Sequence, residues 1–305
     1  FTFALILFYF KTKNTFFLLK LFVFEGMGIG FISLWITSFG LAISKFFFLN
    51  SVLIGHFCLV LIACLVFFSL YKGRTFFLKK IYFSSPKISK DIKLLFISDV
   101  HLGSNNQQYL NKIIKKIKDL EFDFLIIGGD LIDSSNFNIK ELGPLKILKK
   151  PIIFVSGNHE YYLDGYKQKL NQLNMLNIKF LDNESLKYKK INFIGISDNQ
   201  ELKKKKKIVN NLIEKNLYNL VLVHKPSLWN HVYESIDLML CGHTHNGQIF
   251  PFNFFVRLKF KNIFGIYKKN SSNLYVSSGV GCWGPKMRLG SSNEIVLINI
   301  LKSKS

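Results

Sequence analysis

The run KLLFISDVH, residues 93–101, decides the fold. Its apolar part is short and built of aliphatic and aromatic residues, which predicts a strand buried on both faces. The run stops at Asp99 and His101 follows two residues later, so in extended chain both side chains point the same way. Four more runs repeat this grammar: FLIIGGD at 124–130, IIFVSGNHE at 152–160, LVLVH at 220–224 and LMLCGHTH at 238–245. Each predicted strand delivers a carboxylate, an amide or an imidazole at its carboxyl end. In an α/β sheet the loops at that end converge on one edge.

Working outward, further strands are expected at Ile191–Ile196, Leu274–Ser277 and Ile295–Ile300. Leu110, Ile113, Ile114, Ile117 and Leu120 recur at helical spacing with lysines between them. Leu170 with Leu173, and Ile208 with Leu212 and Ile213, mark two more helices. Alternating strands and helices predict a layered α/β domain over residues 93–302.

The strand ends hold five of the chain's seven histidines. Asp99, His101, Asp130, Asn158, His159, His224, His243 and His245 together form a nitrogen and oxygen donor set. Carboxylate plus imidazole suits Mn, Fe or Zn better than Ca, and paired metals of this kind serve hydrolysis. Gly129 and Gly242 allow close backbone approach beside two of the ligands. Glu160 is expected to support its loop, Asp133 to serve a turn or cap, and Cys241 to pack in a strand. Lys203–Lys207 is expected to be a solvated loop, and Arg288 either forks onto a phosphate or forms a structural salt bridge.

In order, the motifs D-x-H, GD, GNH(D/E), H and GHxH resemble the calcineurin-like metallophosphoesterase superfamily over residues 93–300. GHTHNGQ at 242–248, VLVHKP at 221–226 and YVSSGVGCWGPKMRLG at 275–290 resemble its membrane-anchored subfamily. Asn246 replaces a usual glycine there, and Ser291-Ser292-Asn293 replaces a proline-rich stretch. The resemblance implies a four-layer αββα sandwich preceded by N-terminal transmembrane helices. It implies two divalent ions, manganese favoured: one held by Asp99, His101 and His245, the other by Asn158, His224 and His243, with Asp130 bridging. It also implies that a metal-bridged hydroxide attacks phosphorus while His159, the catalytic residue that binds no metal, protonates or orients the leaving oxygen.

Residues 1–70 are almost continuously apolar. Two full spans are expected, at about residues 21–44 and 46–70, since roughly 20 apolar residues cross a bilayer. Phe1–Phe10 is too short to span and is expected to be the stump of a truncated upstream helix. Residues 71–92 are expected to be a basic linker. Lys11, Lys13 and Lys20 precede the hairpin and Lys72, Arg74, Lys79 and Lys80 follow it, leaving Lys45 alone in the turn. The positive-inside rule then puts a multi-pass anchor in the inner (plasma) membrane with the catalytic domain cytoplasmic.

The net charge of +22 accompanies a general richness in Lys, Asn, Phe and Ile and is assigned mostly to that coding bias. No zinc finger, helix-turn-helix or aromatic RNA motif accompanies it, so no nucleic-acid partner is expected. The four cysteines lack paired spacing, which argues against a disulfide framework. Nothing specifies an oligomeric state. The leading expectation is a membrane-anchored phosphodiesterase or pyrophosphatase for a phosphorylated, lipid-linked substrate, such as the UDP-2,3-diacylglucosamine of lipid A synthesis. The rivals are a phosphodiesterase for cyclic nucleotides or other soluble diesters, and a non-catalytic membrane scaffold.

Overall fold

The computed structural model describes residues 17–303. The expected upstream helix at residues 1–10 lies outside the described residues. The described chain runs α1 (Phe17–Phe46), α2 (Ser51–Arg74), β1 (Phe76–Ser85), β2 (Ile92–Ile97), α3 (Gln107–Ile117), β3 (Phe124–Ile127), β4 (Ile152–Phe154) and α4 (Tyr166–Gln172). It continues through β5 (Ile178–Phe180), β6 (Glu184–Tyr188), β7 (Ile191–Ile196), α5 (Leu202–Leu212), β8 (Tyr218–Val223) and α6 (Trp229–Val232). The last elements are β9 (Leu238–Cys241), α7 (Phe252–Lys259), β10 (Gly265–Lys269), β11 (Ser272–Val276) and β12 (Asn293–Lys302).

The strands form two six-stranded sheets, ordered β1-β12-β2-β3-β4-β5 and β10-β11-β9-β8-β7-β6. β2, β3 and β4 are parallel in the first sheet, and β8 and β9 are parallel in the second. Alternation along β2 explains the layering, because successive side chains point to opposite faces. Leu94 and Phe96 join the core between the sheets with Phe193, Leu220 and Leu240. Leu95 and Ile97 face the other way, onto Leu110, Ile113, Ile114 and Ile117 of α3. The second sheet buries Ile194, Val221 and Met239 under Val209 of α5 and Trp229 of α6. The result is the expected αββα sandwich.

All eight predicted strands are present. Within the stretch expected to be a linker, Phe76–Ser85 is instead strand β1, paired in parallel along its whole length with β12. Its buried residues are Ile81, Phe83 and Ser85, an alternation that the preceding Lys79 and Lys80 obscured. The lysine run is also not a loop: it lies on α5, where Lys205 is buried and its Nζ sits 3.1 Å from Asp198.

α1 and α2 pack against each other as a hairpin, and each is long and apolar enough to cross a membrane. Asn50 starts the second helix by accepting from the Val52 and Leu53 N–H groups at 2.9 and 3.2 Å. The hairpin is tied to the sandwich. Ser69 O accepts from Arg288 N at 2.9 Å, and Gly73 O accepts from Asn293 Nδ2 at 2.8 Å. The carboxylate of Glu25 on α1 accepts from Lys286 N at 3.2 Å.

Phe96 is fully enclosed between the sheets. Phe96→Ala is expected to destabilise the fold by about 3–5 kcal/mol, read as a lowered denaturation midpoint in detergent.

Candidate metal centre

The candidate site residues arrive where parallel strands end. β2 leads to Asp99 and His101, β3 to Asp130, β4 to Asn158 and His159, β8 to His224, and β9 to His243 and His245. Backbone hydrogen bonds continue past the strand ends and lace the loops together. Asp99 N donates to Gly129 O and His101 N to Asp130 O, both at 3.0 Å. Gly242 N donates to His224 O at 3.0 Å. The loops are strained: Asp99, His101, Asp130, His243 and His245 all hold positive φ, from 48° to 75°. Left-handed backbone at non-glycine residues costs of order 1–3 kcal/mol each and gathers at functional sites. Gly129, at φ +92°, has no room for a side chain, since a Cβ would sit 2.6 Å from His224 Nδ1.

Three overlapping groups of side chains could each hold an ion: Asp99, His101 and His245; His101, Asp130 and His159; and Asp130, His224 and His243. His245 Nε2 lies 3.4 Å from Asp99 Oδ1, and His224 Nε2 lies 3.1 Å from Asp130 Oδ2. His101 Nε2 stands 4.0 Å from both Asp99 Oδ1 and Asp130 Oδ2, and 3.3 Å from His245 Nε2. His224 Nδ1 meets Gly128 O at 2.8 Å, which leaves Nε2 aimed at the centre. That Nε2 and Asn158 Oδ1 are buried polar atoms without a hydrogen-bond partner. Orphaned donors around two buried carboxylates fit divalent cations, and the nitrogen and oxygen set matches Mn, Fe or Zn.

Without metal, the charges settle on one another. Burial alone would lower His224, but Asp130 and Asp99 beside it override this and raise it to about 10. Burial would raise Asp130, but His224 and His101 hold it well below the usual carboxylate range. Burial, then His224, pushes His243 down to about 3, and burial likewise takes His245 to about 3. Burial also lowers His159, although Asp130 opposes the shift.

His159 is the ambiguous member. Its Nε2 is 3.9 Å from Asp130 Oδ2, close enough to belong to a metal group. Yet its side chain is 20% exposed, against 0–3% for His101, His224, Asp99 and Asp130. It lines an open cavity, and its ring stacks edge-on to those of His101 and Tyr162.

Several supporting residues behave differently from the sequence expectation. Asp133 is more than a turn residue: it accepts from Ser104 N at 2.8 Å and places Oδ2 3.4 Å from His101 Nδ1. Among the described residues Arg288 has no salt-bridge partner. It is fully buried and donates to the carbonyls of His245, Ser278 and Gly281 at 2.8, 2.7 and 2.6 Å. Ser98, not singled out from sequence, donates its hydroxyl to Asp99 Oδ2 at 2.5 Å. Glu160 supports the loops as expected, accepting from the Asp130, Ile132 and Gly157 N–H groups at 3.0, 2.9 and 2.7 Å.

Fold and site together define a metal-binding α/β sandwich of the phosphoesterase type. The profile described as "Calcineurin-like phosphoesterase" matches residues 92–247, and the chain belongs to that family. It is 36% identical over 229 residues to an "Uncharacterized metallophosphoesterase" of Helicobacter pylori (strain J99), covering 70% of this chain and 61% of that one. An "Uncharacterized metallophosphoesterase" of Aquifex aeolicus is 32% identical, with 74% and 93% covered. A "Transmembrane protein with metallophosphoesterase domain" of Bos taurus is 30% identical, with 69% and 53% covered. The match thus spans about three fifths of the Helicobacter relative and about half of the bovine one.

Glu160 offers two acceptor oxygens to three N–H donors. A glutamine there must turn its NH2 toward at least one of them. Glu160→Gln is therefore expected to cost about 1–3 kcal/mol, seen as a lower melting temperature with the fold retained by circular dichroism.

Proposed function

We propose that the chain is a membrane-anchored, dinuclear-metal phosphoesterase that cleaves a phosphodiester or pyrophosphate bond, with manganese the favoured metal. One observation carries the reading. Two buried carboxylates and orphaned imidazole and amide atoms converge at the strand ends, beneath a cavity of about 650 Å³.

Asp99, His101 and His245 hold one ion in this reading. Asn158, His224 and His243 would hold the second, and Asp130, which belongs to two of the candidate groups, would be shared between them. Divalent ions bound at these residues would supply Lewis-acid polarisation of a phosphate and activation of a water. The protein's part is placement. Asp133 beside His101 Nδ1 and Gly128 O on His224 Nδ1 fix ring orientations, as second partners of metal-ligating histidines do. His159, at the cavity face, is left to protonate or orient the leaving oxygen, and its backbone N–H donates to Asp130 Oδ1 at 2.9 Å.

The hairpin supports membrane attachment, and the bovine relative's name points the same way. The basic residues Lys72, Arg74, Lys79 and Lys80 after the hairpin favour a cytoplasmic domain on a multi-pass anchor. A substrate carried on a lipid then becomes the natural one, with UDP-2,3-diacylglucosamine the first to try. A screen with added Mn should compare bis(p-nitrophenyl) phosphate, a cyclic nucleotide and that acylated UDP-sugar. Inertness toward all three would favour a scaffold.

Two variants separate the assigned roles. His159→Ala should still gain thermal stability on Mn addition while losing about 10²–10⁴-fold in turnover, the usual worth of a positioned proton donor. Asp130→Ala should lose the Mn-induced stabilisation itself. Normal turnover in the histidine variant would remove His159 from the mechanism.

A further inference from the structure

We propose that the apolar chain of a lipid-borne phosphate lies between membrane helix α1 and helix α7, so that the anchor itself forms one wall of the active site. This rests on the phosphoesterase reading of the metal centre and names how its substrate is held.

The cavity of about 650 Å³ falls within the roughly 300–1,000 Å³ of ligand pockets. Its floor is Asp130, Asn158, His159, His243 and His245. Above them the chemistry changes abruptly. Met27, Phe31 and Leu34, spaced by four and three and so on one face of α1, form one side together with Gly30. Phe252, Val256 and Phe260 form the opposite side, and among the described residues no charged side chain lines the cavity above its floor. The rings of Phe31 and Phe252 meet edge to face, with centroids 6.1 Å apart, and join the two helices.

A phosphate does not need such walls; an apolar chain attached to it does. The cavity also opens in the direction from which a lipid would come. Leu34 lines it and is yet 60% exposed, on a helix long and apolar enough to lie in a bilayer. Beyond the cavity, Phe250, Phe254, Phe255 and Leu258 are exposed beside the hairpin. A contiguous apolar surface of that kind marks an interaction site. Arg257, Lys259 and Lys261 lie next to it, as suits an anionic headgroup layer. The hydrocarbon of the bilayer, the cavity wall and the metal ligands thus form one continuous path.

Gly30 provides the test. It stands in the cavity wall, and a Cβ built on it would meet nothing within 4 Å. Gly30→Phe therefore starts its side chain in open space at the cavity wall. Gly55→Phe on α2, where a Cβ also meets nothing within 4 Å, is the control because it does not line the cavity. The full chain would be purified in detergent, loaded with Mn, and assayed on hexadecyl p-nitrophenyl phosphate and on bis(p-nitrophenyl) phosphate. Gly30→Phe should lower the ratio of kcat/KM for the long-chain diester to that for the short one by about tenfold or more, and Gly55→Phe should leave the ratio alone. A diazirine-tagged hexadecyl phosphate should photolabel Phe31, Leu34 or Val256, and Gly30→Phe should abolish that labelling. An unchanged ratio in Gly30→Phe, or labelling confined to the outward faces of the hairpin, overturns the proposal. A wild type inert to both diesters and to the acylated UDP-sugar sinks the phosphoesterase reading instead, and the photolabel still decides where the chain sits.

Discussion

Asp99 and Asp130 are two carboxylates buried at the seam of two sheets, and the surrounding structure is organised around that negative charge. A buried carboxylate is costly unless it is paired, hydrogen-bonded or metal-bound. Here each finds partial compensation. Asp99 accepts from Ser98 Oγ at 2.5 Å and from His243 N at 3.2 Å. Asp130 takes His159 N at 2.9 Å and stands 3.1 Å from His224 Nε2. These contacts come from both sheets, so the charges also hold the two layers in register. What they do not satisfy, Asn158 Oδ1 above all, is an oxygen acceptor with no donor. Surplus acceptors in a dry site are what a cation resolves, and the left-handed loops at Asp99, Asp130 and His243 show that the chain accepts strain to keep them there.

The strands legible in the sequence differ physically from those that were not. β2, β3, β4, β7, β8, β9, β11 and β12 lie inside their sheets, are buried on both faces and read as apolar runs. β1, β5, β6 and β10 were missed, and these are the four sheet edges. Each carries lysine: Lys79 and Lys80, Lys179, Lys187, and Lys268 and Lys269. Charge on an edge strand discourages pairing with another chain. The same charge breaks the apolar pattern by which a strand is recognised. The protection of the edge and its illegibility therefore have one cause.

A similar division runs through the site. The candidate metal-binding residues were legible because each sits at the end of its own apolar run, a local signal. Their supports are long-range. Asp133 reaches His101 across the fold, and Arg288 reaches the His245 carbonyl from 43 positions away. Nothing local in MRLG distinguishes a buried arginine that gathers carbonyls from one that grips phosphate. Lys205 is the same case: inside a run of five lysines, only the position of Asp198 selects the one that is buried.

The hairpin brings this argument to its end. From composition alone it is an anchor, separable in principle from the domain that follows. In the folded chain its helix ends are hydrogen-bonded into the tail that builds the site. Ser69 O takes Arg288 N and Gly73 O takes Asn293 Nδ2, while Asn293 Oδ1 takes Arg288 Nε at 2.8 Å. Arg288 then holds the His245 carbonyl, so a short chain of buried contacts runs from the membrane helices to a metal-facing loop. Gly28 and Gly73 are the close approaches that permit this, since a Cβ at the first would meet Met287 and Pro285 and at the second the Lys286 backbone. A helix needed only for tethering would gain nothing from such fit. The packing makes sense if the anchor also positions the loop that carries His245 and closes one side of the space above it.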